Sequence, residues 1–264
     1  MGVLDKFRLD GQVAVITGAG KGIGAGTARA FAEAGADVVL AARTAADLEA
    51  VAEDIRAMGC RALCCPTDVM ESEQVEALAA QAVAEMGRID IVVNNAGGFP
   101  PKPALATSVE EFESAFRFNV GTAFRLTTLC AEQLAEHGGS VVNISSVAGS
   151  APAPCFAAYG TAKAALTFLT RQMAQEFAPR IRVNAIAVGS TKTDALNTVL
   201  NDEIEQTMVD LTPMARLGEV EDVALGALYL ASPAAAYVTG EVLAVNGGLE
   251  RTNMMMPRAF GGVG

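Results

Sequence analysis

Residues 13–24 read VAVITGAGKGIG. Val13–Thr17 is apolar or β-branched throughout, without polar alternation, the pattern of a strand buried on both faces. It runs straight into a turn with glycines at 18, 20, 22 and 24, and helical spacing follows. The same unit of short apolar run and longer helical stretch recurs along the chain. Further strand candidates are 37–41, 61–65, 89–94, 140–145, 182–188 and 241–246. Helical stretches fall at about 22–35, 45–58, 71–86, 108–136, 156–178 and 220–231, with helical character also around 194–210. Gly35, Gly59, Gly87 and Gly138 stand where helices would end. Such repetition predicts a doubly wound α/β fold, a parallel sheet with helices on both faces. No linker or composition shift divides residues 1–264, so one domain is expected.

The 264 residues are 51% hydrophobic, ample for a core. No apolar run reaches the ~18 residues of a membrane span. The first ten residues lack the apolar stretch of a secretory signal, so a cytoplasmic protein is expected. The formal charge of -11 disfavours nucleic acid as a partner. Five scattered cysteines, 60, 64, 65, 130 and 155, include no CxxC spacing, which suits reduced thiols better than a metal site or a disulfide set.

A glycine turn between strand and helix lets the backbone approach a pyrophosphate, with the helix N-terminus supplying donors and a favourable dipole. The same turn also serves as a plain strand–helix connection. The end of the second strand sharpens the reading. A site for NAD usually carries an acid there, to bind the adenosine ribose hydroxyls. Here the stretch is Ala41-Ala42-Arg43-Thr44, and Lys21 lies in the turn itself. Two cations suit a 2′-phosphate, so NADP(H) is favoured, with NAD(H) possible.

Residues 140–163 read SVVNISSVAGSAPAPCFAAYGTAK. Tyr159 and Lys163 are four apart and share a helix face. A phenol is a poor acid–base group at its free pKa of ~10, and a nearby ammonium favours its ionised form. The spacing suits a proton-transfer pair, but by itself it is common and equally serves a surface tyrosine beside a solvated lysine.

TGAGKGIG (17–24), Asp68-Val69, NNAG (94–97), Asn119, NISS (143–146) and YGTAK (159–163) occur in the order and spacing of the short-chain dehydrogenases/reductases. The resemblance spans residues 8–250. It implies a Rossmann-type sheet of seven parallel strands ordered 3-2-1-4-5-6-7, and commonly a homotetramer. It implies Tyr159 as general acid/base and Lys163 as the residue that holds the nicotinamide ribose and lowers the tyrosine pKa. Ser146, 13 residues before Tyr159, corresponds to the residue that hydrogen-bonds the substrate oxygen; strand alternation turns its rival Ser145 to the opposite face. Asn119, within the helix at 108–136, corresponds to the anchor of a proton-relay water. For the cofactor, the resemblance implies Gly18, Gly20, Lys21, Gly22, Ile23, Gly24 and Arg43, then Asp68 and Val69 at the adenine. Asn95, Ala96 and Gly97 line the crevice, and Gly189, Thr191 and Thr193 follow the sixth strand. One departure stands out: the family's Pro-Gly there is Val188-Gly189, and Thr191 replaces an apolar residue, which leaves the rigidity of this wall open.

His137 ends a helix, where capping is expected. Met254-Met255-Met256 suits tail packing, and Leu249–Gly264 reads as a tail or a subunit contact. Cys155 lies four residues before Tyr159 and could face a substrate, though a small loop residue is the simpler reading. The segment 189–218 is long enough to cover a ligand. Leu196, Val199, Leu200 and Met208 there, with the loops at 98–101 and 149–156, predict an apolar pocket for a hydrophobic alcohol or ketone. The stretches at 94–103, 193–196 and 203–206 resemble bacterial 7α-hydroxysteroid dehydrogenases. The alternatives are a 3-oxoacyl-carrier-protein reductase, which would need a basic patch from such residues as Arg125, Arg171 and Arg180, and an NADP-binding module without activity.

Overall fold

The computed structural model describes residues 2–198 and 200–261. Seven strands, β1 (Val13–Thr17), β2 (Asp37–Ala42), β3 (Ala62–Pro66), β4 (Ile91–Asn94), β5 (Ser140–Ser146), β6 (Arg182–Val188) and β7 (Val242–Val245), form one sheet in the order 3-2-1-4-5-6-7. Every pairing is parallel. The helices are α1 (Gly22–Glu33), α2 (Ala45–Ala57), α3 (Ser72–Met86), α4 (Val109–Phe116), α5 (Thr122–His137), α6 (Ala157–Phe177), α7 (Asp194–Asn197), α8 (Asp202–Asp210) and α9 (Val220–Ala231).

Strand alternation distributes the apolar side chains between two cores. Ala14, Ile16, Val93, Val142 and Ile186 face the layer that contains Phe31 of α1, Leu48 of α2 and Leu230 of α9. Val13, Val15, Val92, Val141 and Val183 face Leu78 of α3, Leu126 of α5 and Met173 of α6. With both faces covered, continuous apolar strands are what burial requires.

Two differences from the sequence expectation matter. The helix expected over 108–136 is interrupted by a π turn, Arg117–Gly121, between α4 and α5. The helical character at 194–210 resolves into the short α7 and α8. A polar ladder also crosses the centre of the sheet. Asn94 pairs in register with Asn143, and its Nδ2 donates to Asn143 Oδ1 (2.8 Å) and Thr127 Oγ1 (2.9 Å). Asn143 Nδ2 donates in turn to Thr170 Oγ1 (2.9 Å).

Candidate active site

The turn after β1 is shaped by close approach. Gly18 has φ +66°, and a Cβ on Gly24 would sit 2.2 Å from the Gly18 carbonyl oxygen. Only glycine allows that packing, which brings the start of α1 against the turn. Asn95 locks the arrangement, its Nδ2 donating to the Thr17 carbonyl (2.9 Å) and the Gly18 carbonyl (3.2 Å). Thr17 Oγ1 accepts from the Asn95 and Ala96 amides (3.1 and 3.0 Å). Asn95, expected as a crevice wall, is thus also a strut, and Thr17 is a contributor that sequence reading missed.

Two cavities open along the C-terminal edge of the sheet and share Lys21, Asn95 and Gly97. One, of about 580 Å³, is lined by Gly18, Gly20, Lys21, Arg43, Asp68, Val69, Ala96 and Gly97, together with Thr44, Asp47, Thr67, Phe99 and Phe118. Asp68 holds the loop after β3 by accepting from the Met70 amide at 3.0 Å. The other, of about 430 Å³, brings Gly22, Ile23, Gly189, Thr191 and Thr193 together with Ser146, Tyr159 and Lys163. Gly24 and Asn119 stand behind these walls rather than in them.

Two expectations about charge change. Lys21 pairs with Asp47 (3.3 Å), a carboxylate on the first turn of α2, beyond the strand end where an acid is usual. Among the described residues Arg43 enters no ion pair and is exposed. The cationic character of this cavity therefore rests mainly on Arg43. Phe99, expected beside a substrate, lines the larger cavity instead.

In the smaller cavity, Ser145 and Ser146 separate as alternation requires. Ser145 Oγ is turned into the protein, donating to the Lys163 carbonyl (3.2 Å) and bonding Thr167 Oγ1 (3.0 Å). Ser146 emerges at the end of β5, accepts from the Ala148 amide (3.2 Å) and lines the same cavity as Tyr159. Tyr159 and Lys163 lie one turn apart on α6, with Lys163 Nζ 5.7 Å from the centre of the phenol ring. Lys163 is 4% exposed and donates to the Ile144 carbonyl at 2.8 Å. Burial pushes its ammonium down to about 8. Burial pushes the Tyr159 phenol up, and the neighbouring Ser146 hydroxyl opposes that. This direction is the reverse of the expected lowering by Lys163: both groups are desolvated by the same wall, and desolvation disfavours each charged form.

Asn119 sits within the π turn, a device common at functional sites. Its side chain makes three hydrogen bonds: Nδ2 donates to Ala115 and Gly98 carbonyls (2.8 and 3.1 Å), and Oδ1 accepts from the Gly98 amide (2.8 Å). A Cβ on Gly97 would lie 2.7 Å from that Oδ1 and 3.1 Å from Lys163 Nζ, so the loop after β4 threads between the two. The wall after β6 is pinned without proline. Thr191 and Gly218 form an isolated parallel bridge, with Gly218 N donating to Ser190 O (2.9 Å) and Lys192 N to Gly218 O (2.8 Å). Leu196, Phe156, Val147, Val188 and Met254 supply apolar wall. Met208, on α8, is buried and not part of the cavity wall, Leu200 is not part of that wall, and Val199 lies outside the described residues. Cys155 faces the chain's end, its Sγ 3.6 Å from the Pro257 carbonyl.

The residues present fit a dinucleotide. A glycine cradle at a helix N-terminus lies between two adjoining cavities, and a buried lysine and tyrosine stand at the far end. Among the described residues no helix is long and apolar enough to cross a membrane.

The comparisons agree with this geometry. A family model described as enoyl-(acyl carrier protein) reductase matches residues 18–250. An uncharacterized oxidoreductase of Mycobacterium tuberculosis is 53% identical, covering 97% of this chain and 98% of its own. A 7α-hydroxysteroid dehydrogenase of Escherichia coli is 42% identical over 92% of this chain and 96% of its own. A solved 7α-hydroxysteroid dehydrogenase, complexed with NADH and 7-oxo glycochenodeoxycholic acid, superposes with a TM-score of 0.91 at 42% identity, covering 94% of this chain and 98% of that one. With its sheet order, glycine turn and YGTAK segment, the chain belongs to the short-chain dehydrogenase/reductase family and is a nicotinamide-dependent alcohol dehydrogenase/ketone reductase.

Proposed function

We propose that this enzyme interconverts a hydrophobic secondary alcohol, hydroxysteroid-like in character, with its ketone, using NADP(H) and Tyr159 as the proton-transfer group. The observation that carries the reading is the convergence of Ser146, Tyr159 and the buried Lys163 on one largely apolar-walled cavity. A bound nicotinamide supplies the hydride donor or acceptor.

The chain's own groups do the rest. In the reducing direction the Tyr159 hydroxyl donates its proton to the carbonyl oxygen as that oxygen gains charge. Ser146 Oγ donates a hydrogen bond to the same oxygen, stabilising the charge where little water competes. Lys163, held by Ile144 O, keeps further ammonium donors for a ribose hydroxyl. Asn119 holds the loop at 97–98 and so positions Lys163. Both side-chain donors of Asn119 are taken, so a relay water would rest on acceptors there, the remaining Oδ1 lone pair or the backbone of the π turn. Gly18, Gly20, Lys21, Gly22, Ile23 and Gly24 would receive the pyrophosphate. Asp68 and Val69 would line the adenine, Asn95, Ala96 and Gly97 the crevice, and Gly189, Thr191 and Thr193 the carboxamide end. Arg43 supports the NADP(H) preference, since it faces the adenosine cavity without an ion-pair partner among the described residues.

A carrier-bound acyl substrate is the second reading, favoured by the description of the matching family model. Against it, Arg125 pairs with Glu76, Lys192 with Glu205 and Lys102 with Glu111, which neutralises basic groups that an acidic carrier would need. Exposed Phe112, Phe116, Phe124 and Phe168 on α4–α6 offer an apolar surface suited to a subunit contact, as a homotetramer would require.

The test is a panel of steroid, acyl and small ketones with NADPH and NADH, run beside Tyr159→Phe. Steroid-sized ketones should be turned over best, with NADPH, and Tyr159→Phe should lose roughly 10²–10⁴-fold in kcat while still binding cofactor. Near-parental activity of that variant refutes the role of Tyr159, and preference for carrier-bound 3-oxoacyl chains refutes the substrate class.

A further inference from the structure

The segment after β7 does not trail away from the site. Leu249 is buried against Val147 and Ala151, which flank the serine loop after β5. Three residues on, Thr252, Asn253 and Met254 form part of the wall of the 430 Å³ cavity. Asn253 is 2% exposed, unusual for an amide in a segment without regular structure. Its hydrogen bonds explain the burial. Asn253 Oδ1 accepts from Ser190 Oγ (2.5 Å), on the wall that leaves β6. Its Nδ2 donates to the Met208 carbonyl (3.0 Å) and to Thr212 Oγ1 (3.0 Å), at the end of α8. One side chain thus joins the strand exit, α8 and the C-terminal segment.

We infer that Asn253 is a latch that ties α8, the wall after β6 and the C-terminal segment into one unit beside the substrate cavity, and that Met254, held by this latch, is a specificity-determining residue for the bulk of the ketone. A buried amide left unpaired costs the full desolvation of its polar atoms, so its three partners hold their relative places only while the amide is present. Thr212 Oγ1 also donates to Met208 O (2.7 Å), closing a small network at the foot of α8. The adjacent thioether then sits as a flexible apolar surface opposite Phe156 and Leu196, a residue type that adapts to irregular ligands. The kinetic part of this inference rests on the proposed ketone chemistry; the structural part does not.

The experiment has two arms on the full-length enzyme. Hydrogen–deuterium exchange is compared for the parent, Asn253→Ala and Asn253→Asp. Both variants lose the donors to Met208 O and Thr212, so exchange over 202–211 should rise in both. Asp retains the acceptor for Ser190 Oγ, so the wall at 189–192 should loosen only in Asn253→Ala. Kinetics of Met254→Ala with one steroid-sized and one small cyclic ketone form the second arm. The shorter side chain should move the ratio of kcat/KM roughly tenfold toward the larger ketone. For Asn253→Ala, KM for the larger ketone should rise roughly tenfold while kcat falls far less. Unchanged exchange over 202–211, or a Met254→Ala preference equal to the parent's, overturns the inference. A parent enzyme that reduces no ketone would instead overturn the proposed function, and the exchange arm would still decide the latch.

Discussion

Replacing Lys163 by methionine should stabilise the cofactor-free protein at neutral pH while abolishing turnover. Lys163 is 4% exposed, and burial pushes its ammonium from 10.5 down to about 8. Such a depressed lysine penalises the folded state wherever it must carry charge. Below pH 8 it is protonated in both folded and unfolded chains, and the whole penalty is present. Between about 8 and 10.5 the unfolded chain binds the extra proton, so stability rises with pH and the penalty fades. A shift of about 2.5 units corresponds to about 3 kcal/mol at pH 7 and under about 1 kcal/mol at pH 10. Methionine has similar length and no charge, but it forfeits the bond to Ile144 O, worth about 1 kcal/mol. The net expectation for Lys163→Met is a gain of about 2 kcal/mol at pH 7 and roughly none at pH 10. Urea midpoints of the two proteins at both pH values, at one protein concentration, give the difference directly, and groups common to both chains cancel. A loss of stability at pH 7, or a difference that does not change with pH, would refute the reasoning.

The two neighbouring serines should separate cleanly: Ser146→Ala should lower kcat by ~10²–10³-fold with little change in stability. Ser145→Ala should instead cost about 1–3 kcal/mol in a denaturation midpoint, through the partners it leaves at Lys163 O and Thr167. Arg43→Ala should weaken NADPH binding by roughly tenfold or more, as expected for loss of a charge-assisted phosphate contact, and leave NADH nearly untouched; equal effects on both cofactors in a fluorescence titration would remove Arg43 from that role. Gly24→Ala would force a methyl to 2.2 Å from Gly18 O, so it should displace α1 from the turn and raise the dissociation constant of either cofactor, while an unchanged constant would show that the turn yields.

Where burial dictates pattern, the sequence was legible. β1 and β6 match the expected bounds because apolar residues on both faces leave little choice of limits, and the glycine turn announced itself through spacing. The π turn did not, since it differs from an α-helix by one hydrogen-bond register and leaves the apolar spacing almost intact. Asp47 was missed because it reaches Lys21 across space from another element. The direction of the Tyr159 shift was misjudged because spacing shows a neighbour but not the dryness of the site. The segment around Asn253 carries no periodicity at all, and its burial follows only from three-dimensional closure.

The Asn94–Asn143 pair has a consequence for how the enzyme acquires its geometry. The nucleotide loop begins one residue after Asn94, and Ser146 stands three residues after Asn143. A slip of β5 by one position would move the serine by ~3.3 Å and turn it to the other face. The same slip would strand two amides in the middle of the sheet, at about 1–3 kcal/mol for each unpaired group. The asparagine pair therefore acts as a gauge block: the register of the two central strands sets the spacing between the loop after β4 and the serine.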